Sequence, residues 1–186
     1  MRLCRYLFAS LIASALSSSA VCASTVVQMD LADLSTRAAR IFVARCHASE
    51  AAAEADRPST RVEFEVTEVV KGSAASAEVV LLAGGVRDGV RQLVTGMPTF
   101  EPGEEVVVFL SAPDARGRSW PIGLGQGKFH VRRDANGDAF VVPGDRAGHA
   151  SSARPAAPDA PPEPLTVFLD RVRSLAGAQP GAPDAR

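Results

Sequence analysis

Residues 61–72, RVEFEVTEVVKG, constrain the fold of this chain more than any other stretch. Val62, Phe64 and Val66 alternate with Arg61, Glu63, Glu65 and Thr67. A period of two marks a strand with one face buried and the other wet, whereas a helix would scatter these apolar residues around its circumference. The alternation breaks at Glu68-Val69-Val70, which predicts a bulge or a bend onto a second neighbour. Lys71-Gly72 then closes the segment with a turn. The polar side, from Arg61 to Thr67, carries no catalytic pattern and reads as solvated surface.

Such a strand needs partners, and the flanking sequence supplies them. Upstream, Asp30 reads as the N-cap of a short helix with Leu31, Leu34, Ala38 and Ile41 on one face. A strand over residues 41–46 follows almost directly, and residues 48–58, small and polar, read as a loop. Downstream, residues 78–83 form the next strand, and residues 90–95 return after an Arg87-Asp88-Gly89 turn to make a hairpin with it. Pro102-Gly103 is a strong turn with Phe100 tucked beneath it. Residues 106–110 are an unbroken apolar run, the signature of a strand buried on both faces. A last hairpin pairs residues 128–132 with 139–142 through Asn136-Gly137.

The ends differ in composition. Residues 1–23 read as an export signal: Arg2 and Arg5, an apolar run too short to span a bilayer, then small residues before a cut after Ala23 or Ala20. The mature chain starts near Ser24 and is about 160 residues long, enough for one domain with a sizeable core. Without Arg2 and Arg5, 18 basic and 21 acidic side chains remain, a formal charge of −3. That mixture gives no basis for binding nucleic acid, and no later apolar run is long enough to span a membrane. Residues 144–163 turn to Pro, Ala, Gly and Ser, a flexible linker. Beyond it Leu165, Phe168, Leu169, Val172 and Leu175 form the stripe of an amphipathic helix over residues 164–177, which docks on its own β domain or on a partner. Residues 178–186 read as a disordered tail.

The chemistry-bearing residues form no catalytic set. In Gly123-Leu-Gly125-Gln-Gly127-Lys128 the glycine spacing and the Phe129 that follows break the phosphate-loop pattern, leaving a glycine-rich strand entry where another backbone approaches closely. Asp134, Asn136 and Asp138 imitate the start of a calcium loop, yet Ala139 and Asp145 stand where glycine and glutamate are required. His47, His130 and His149 lack zinc spacing, and Cys46 and His47, being adjacent on a strand, point to opposite faces. Cys46 alternates with Phe42 and Ala44 and so reads as a buried thiol, although a cut after Ala20 would leave Cys22 to pair with it. No nucleophile elbow occurs. No metal, cofactor or enzymatic activity is expected.

Short strands with turns at this spacing predict a mostly β chain, a small antiparallel barrel or sandwich. The order helix, strand, RVEFEVTEVVKG, FEPGEEVVVFL resembles the netrin-like class of oligonucleotide-binding-type (OB-like) β-barrels, which includes the tissue inhibitors of metalloproteinases. It is also similar to uncharacterised exported bacterial proteins carrying FEPGEEVVVFL and GLGQGKF. The likeness covers residues 29–131. In the inhibitors an N-terminal cysteine places its amine and carbonyl on the protease zinc; here Ser24 stands at that end and the family's disulfides are absent.

The resemblance implies an exported, non-enzymatic module that binds a protein, with a secreted metalloprotease as the candidate partner. The expected contact residues are Ser24, Thr25, Val26 and Val27 of the amino-terminal arm, with Gly85, Arg87, Met97, Pro98 and Phe100 of two loops. The alternative is an envelope structural or assembly protein whose C-terminal helix docks a partner.

Overall fold

The computed structural model describes residues 27–54, 57–143 and 162–177. The expected signal peptide, arm residues Ser24 to Val26, most of the linker and the tail lie outside them. Helix α1 (Leu31–Arg37) leads into β1 (Arg40–Glu54), β2 (Arg57–Lys71) and β3 (Ala77–Ala83). A hairpin of β4 (Gly85–Arg87) and β5 (Val90–Gln92) comes next, then β6 (Glu105–Leu110). A 3-10 turn (Leu124–Gly127) enters β7 (Lys128–Arg133), followed by β8 (Ala139–Pro143), β9 (Glu163–Pro164) and helix α2 (Leu165–Gly177). The chain is mostly β: one seven-stranded antiparallel sheet, ordered β3-β2-β1-β6-β7-β8-β9, with a separate β4–β5 ribbon and a short helix near each end.

The break in the 61–72 alternation has a structural counterpart. Along the β1–β2 ladder Ile41 pairs with Lys71 but Phe42 with Val69, so Val70 is an extra residue on β2; Thr67 is a second, and His47 is an extra residue on β1. Each extra residue bends the ribbon and increases its twist. The bulge at Val70 turns that side chain to the helix-covered face, where it packs with the core, while Val69 points outward. Lys71 is thereby aimed at α1, its Nζ donating to the carbonyls of Ser35 (2.8 Å) and Thr36 (3.1 Å), groups the helix leaves without partners at its C-terminal end. Gly72 follows at φ 73°, where a Cβ would sit 2.5 Å from the Ala39 carbonyl oxygen. The Lys-Gly ending is thus the joint between β2 and the leading helix.

The sheet is buried on both faces. On one, Ile41, Val43, Val107 and Phe109 meet α1 through Leu34 and Ala38, and α2 through Phe168, Leu169 and Val172. The rings of Phe109, Phe129 and Phe168 form a chain with centroids 5.5 and 5.0 Å apart. The stripe of α2 is therefore spent on its own sheet. On the other face, Phe42, Cys46, Val62, Phe64, Val106 and Val108 are sealed although no described helix lies over them. A flat sheet would leave that face wet; it is closed by the curl the bulges impose and by Phe100, whose ring stands edge-on to Phe64 at 5.0 Å. Strand β6, buried on both sides as its unbroken apolar run predicts, separates the two cores.

Four expectations are corrected. The sheet does not close into a barrel: a strand has two edges, and those of β7 are taken by β6 and β8, so none is left for β3. Residues 48–58 are largely strand rather than loop, since backbone pairing with the opposite arm, Ala51 with Thr60 and Ala52 with Ser59, outweighs the weak strand preference of alanine. The hairpin after β3 is made by β4 and β5 across Asp88-Gly89, because Gly84-Gly85 redirects the chain before the ribbon begins. Glu163, placed in the linker by composition, pairs with Val141 instead.

After β6 a tight loop is organised by Asp114. Its Oδ1 accepts the backbone N–H groups of Arg116 (2.8 Å) and Arg118 (2.9 Å), and its Oδ2 accepts Nε (3.0 Å) and Nη2 (2.8 Å) of Arg118. The Arg118 side chain first, then the backbone donors, hold this carboxyl down to about 2 from 3.8. Because the folded value is the lower one, the loop's contribution to stability is present above 3.8 and is lost as pH falls toward 2. In a carboxyl-carbon NMR titration Asp114 should show its midpoint near 2, rising in Arg118→Ala; a midpoint near 3.8 in the parent would contradict the geometry.

Candidate functional site

Register decides which side chains meet. Val106 pairs with His130 and Val108 with Lys128, and paired residues share a face, so Lys128 and His130 point into the helix-free core. Lys128 is 6% exposed. Its ammonium donates to the Thr99 carbonyl (2.6 Å) and to both oxygens of Glu104 (2.8 and 2.9 Å), and lies 4.6 Å from the centre of the Phe100 ring. Glu104 also takes Nδ1 of His130 at 2.5 Å and the backbone N–H of Glu101 at 3.1 Å. The turn is pinned to β1 as well, Gly103 N–H donating to the Cys46 carbonyl and Cys46 N–H to that of Glu104, each at 2.8 Å. The FEPGEE and GKFH stretches are thus clamped together through one buried charge pair.

This clamp shapes a cleft of about 260 Å³ between the β4–β5 ribbon and residues 97–101. Gly85, Met97, Pro98 and Phe100 of the expected contact set line it, beside Leu82, Val86 and Leu93. Arg87 lies next to it in β4, with Nε 3.4 Å from Asp88. The rim is apolar and open: Val86 and Leu93 are 48% and 77% exposed. Arg91 and Gln92 also line the cleft and were not singled out from sequence; their place on a three-residue ribbon depends on where β3 ends.

The arm is held by the 3-10 turn. Gln126 accepts the backbone N–H of Met29 on Oε1 (2.8 Å) and donates from Nε2 to the Val27 carbonyl (3.0 Å), as a neighbouring strand would. The adjacent Gly125 N–H donates to the Gly96 carbonyl at 2.8 Å. The last described arm residue, the 3-10 turn and the turn before Met97 are therefore linked in series. Val27 is exposed, and Ser24, Thr25 and Val26 lie outside the described residues. Gly127 allows the crossing: a Cβ there would stand 2.4 Å from the Ile122 carbonyl oxygen. The close approach is legible in GLGQGK; the role of Gln126 is not. Its one signal is that Gln126 alone between Gly123 and Gly127 carries a hydrogen-bonding side chain.

Other candidate groups serve the fold. Cys46 is a free, buried thiol, pushed up by burial first and then by the Glu104 carboxylate, against the opposing charge of Lys128. It stays protonated and a poor nucleophile at neutral pH. Asp134 uses one carboxylate oxygen to accept the N–H groups of Asn136 (2.8 Å) and Asp138 (3.0 Å), as a hairpin loop does. Among the described residues no three His, Cys, Asp or Glu side chains gather as metal ligands, and no helix is long and apolar enough to cross a membrane. Compared with models of protein families, with curated proteins and with solved structures, the chain gives no match.

Replacing Gln126 with alanine should speed hydrogen exchange of the Met29 amide by roughly five- to tenfold, the loss of a hydrogen bond of about 1 kcal/mol, and leave Val107 unchanged. Equal exchange at Met29 in both proteins would show that Gln126 does not hold the arm.

Proposed function

We propose that this chain is an exported, non-enzymatic protein-binding module. The observation that carries this reading is that Gln126 and the Gly125–Gly96 hydrogen bond link the arm to the Gly96–Met97 turn, whose next residues line the cleft with the β4–β5 ribbon. Contact segments far apart in sequence are thereby linked, with the exposed Val86 and Leu93 of the cleft as their apolar part. Covering each of these side chains would contribute up to about 1.5–3 kcal/mol, before the costs of association.

The finer fold assignment supports the same reading. The order β3-β2-β1-β6-β7 is that of an OB-like barrel cut between its third and last strands, which fits a netrin-like relative whose closing edge has been given to β8. The partner class this implies is a secreted metalloprotease, met by the arm and the cleft together. With no cysteine at Ser24 to fix the arm, Gln126 takes over part of that task. It restrains the backbone at Val27 and Met29 and so lessens the ordering cost on binding.

A photo-reactive phenylalanine analogue placed at Leu93 or Met97 in the producing cell tests the proposal. Both positions should yield one adduct of the same defined mass, absent when the probe sits at Asp138 on the distant β7–β8 loop. Peptide sequencing of the adduct should identify a metalloprotease; a different protein would retain binding and remove the partner class. Adducts at neither cleft position, or equally at Asp138, would overturn the reading.

A further inference from the structure

The strand that fails to close the barrel leaves an edge with no partner strand among the described residues. β3 pairs with β2 along residues 77–83, and no described strand takes its other side. At seven residues this edge is roughly 23 Å long. Edges of this kind are ordinarily guarded by lysine, proline, a bulge or a covering element. β3 has none of the first three. Its sequence is AEVVLLA, and its one charge, Glu78, is already neutralised by Arg40 Nη1 at 3.0 Å while accepting the Ala75 N–H at 2.8 Å. Val79 is 47% exposed. The opposite edge of the sheet is guarded: β9 has two residues and ends in Pro164, which has no N–H to donate.

We infer that β3 is a self-association edge, and that its occupant is β3 of a second copy of this chain. Antiparallel pairing centred on Val80 sets Val80 against its equivalent, Val79 against Leu81 and Glu78 against Leu82. The pleat then places Val80 and Leu82 on the inner face, which is already their buried side, and Val79 and Leu81 together on the outer face. No like charges face each other across the seam, because the only carboxylate carries its own arginine. Among the described residues β3 is the one unguarded edge of the seven-stranded sheet, so the contact is isologous and closes at two copies instead of growing into a filament. A seam of this size falls short of the about 1,000 Å² typical of permanent interfaces, so the dimer is reversible and governed by concentration.

Sedimentation velocity on the mature chain, over about a thousandfold range of concentration, should show monomer passing to dimer with no larger species. Over the same range the β3 amides should become at least several-fold slower to exchange. Val79→Lys/Leu81→Lys should remain monomeric throughout, whereas Val167→Lys on the equally exposed face of α2 and Leu93→Asp at the cleft should dimerise as the parent does. A parent that is monomeric at every concentration, or β3 amides indifferent to concentration, would overturn the inference even if the double variant failed to fold. Dimers abolished by Leu93→Asp but not by the β3 variant would overturn it too. These outcomes are independent of the cross-linking test, which reads the cleft alone.

Discussion

The ammonium of Lys128 and the carboxylate of Glu104, held together out of water, are the contact on which this architecture turns. The Lys128 ammonium is not tolerable alone at that depth, since an unpaired buried ion costs several kcal/mol. Their pairing therefore obliges the turn before β6 and the start of β7 to lie side by side. Once there, Lys128 also holds the Thr99 carbonyl and caps the Phe100 ring, so Phe100 stays against Phe64 and seals the helix-free core. The cleft lies directly beyond that seal. The core seal and the candidate site thus share one buried pair.

Much of the framework was legible in local pattern. Alternation at Val62, Phe64 and Val66 marks β2, the apolar run marks β6, and Asp30 marks the start of α1, whose Asp33 N–H it accepts at 2.7 Å. The stripe from Leu165 to Leu175 marks α2, and the disturbed period at residues 68–70 marks a real bulge. These features arise from short-range periodicity, which sequence records directly. What sequence does not record is which strand takes which edge. Closure was expected because the strands suffice for a barrel; it fails because β8 occupies the second edge of β7, a competition between segments that no single segment displays. Alanine-rich residues 48–53 mislead for a related reason, their strand state being imposed by the partner arm.

The site shows the same division. Glycine and proline placed the loops that line the cleft, and four residues nominated from those loops meet there. Arg91 and Gln92 escaped notice because the ribbon carrying them begins only where Gly84-Gly85 ends β3. Lys128 was legible only as the end of a glycine-rich strand entry. Only the β6–β7 register turns it inward, and only then does Glu104 become its counter-ion. Gln126 is the clearest case: its amide acts on Val27 and Met29, nearly a hundred positions away in the chain. A side chain that recognises backbone leaves no complementary residue type to look for.

A double-mutant cycle on stability is the most direct measurement of the central claim. Glu104→Leu alone should cost about 3–5 kcal/mol, because it leaves the Lys128 ammonium buried without a counter-ion, and Lys128→Met alone should cost less, because Glu104 keeps His130 and the Glu101 N–H. The double variant should cost less than Glu104→Leu alone, because no unpaired ammonium remains, giving a coupling of at least about 1 kcal/mol. Single changes within about 0.5 kcal/mol of the parent that add without coupling would contradict the claim that this pair holds the turn, the core seal and the cleft together.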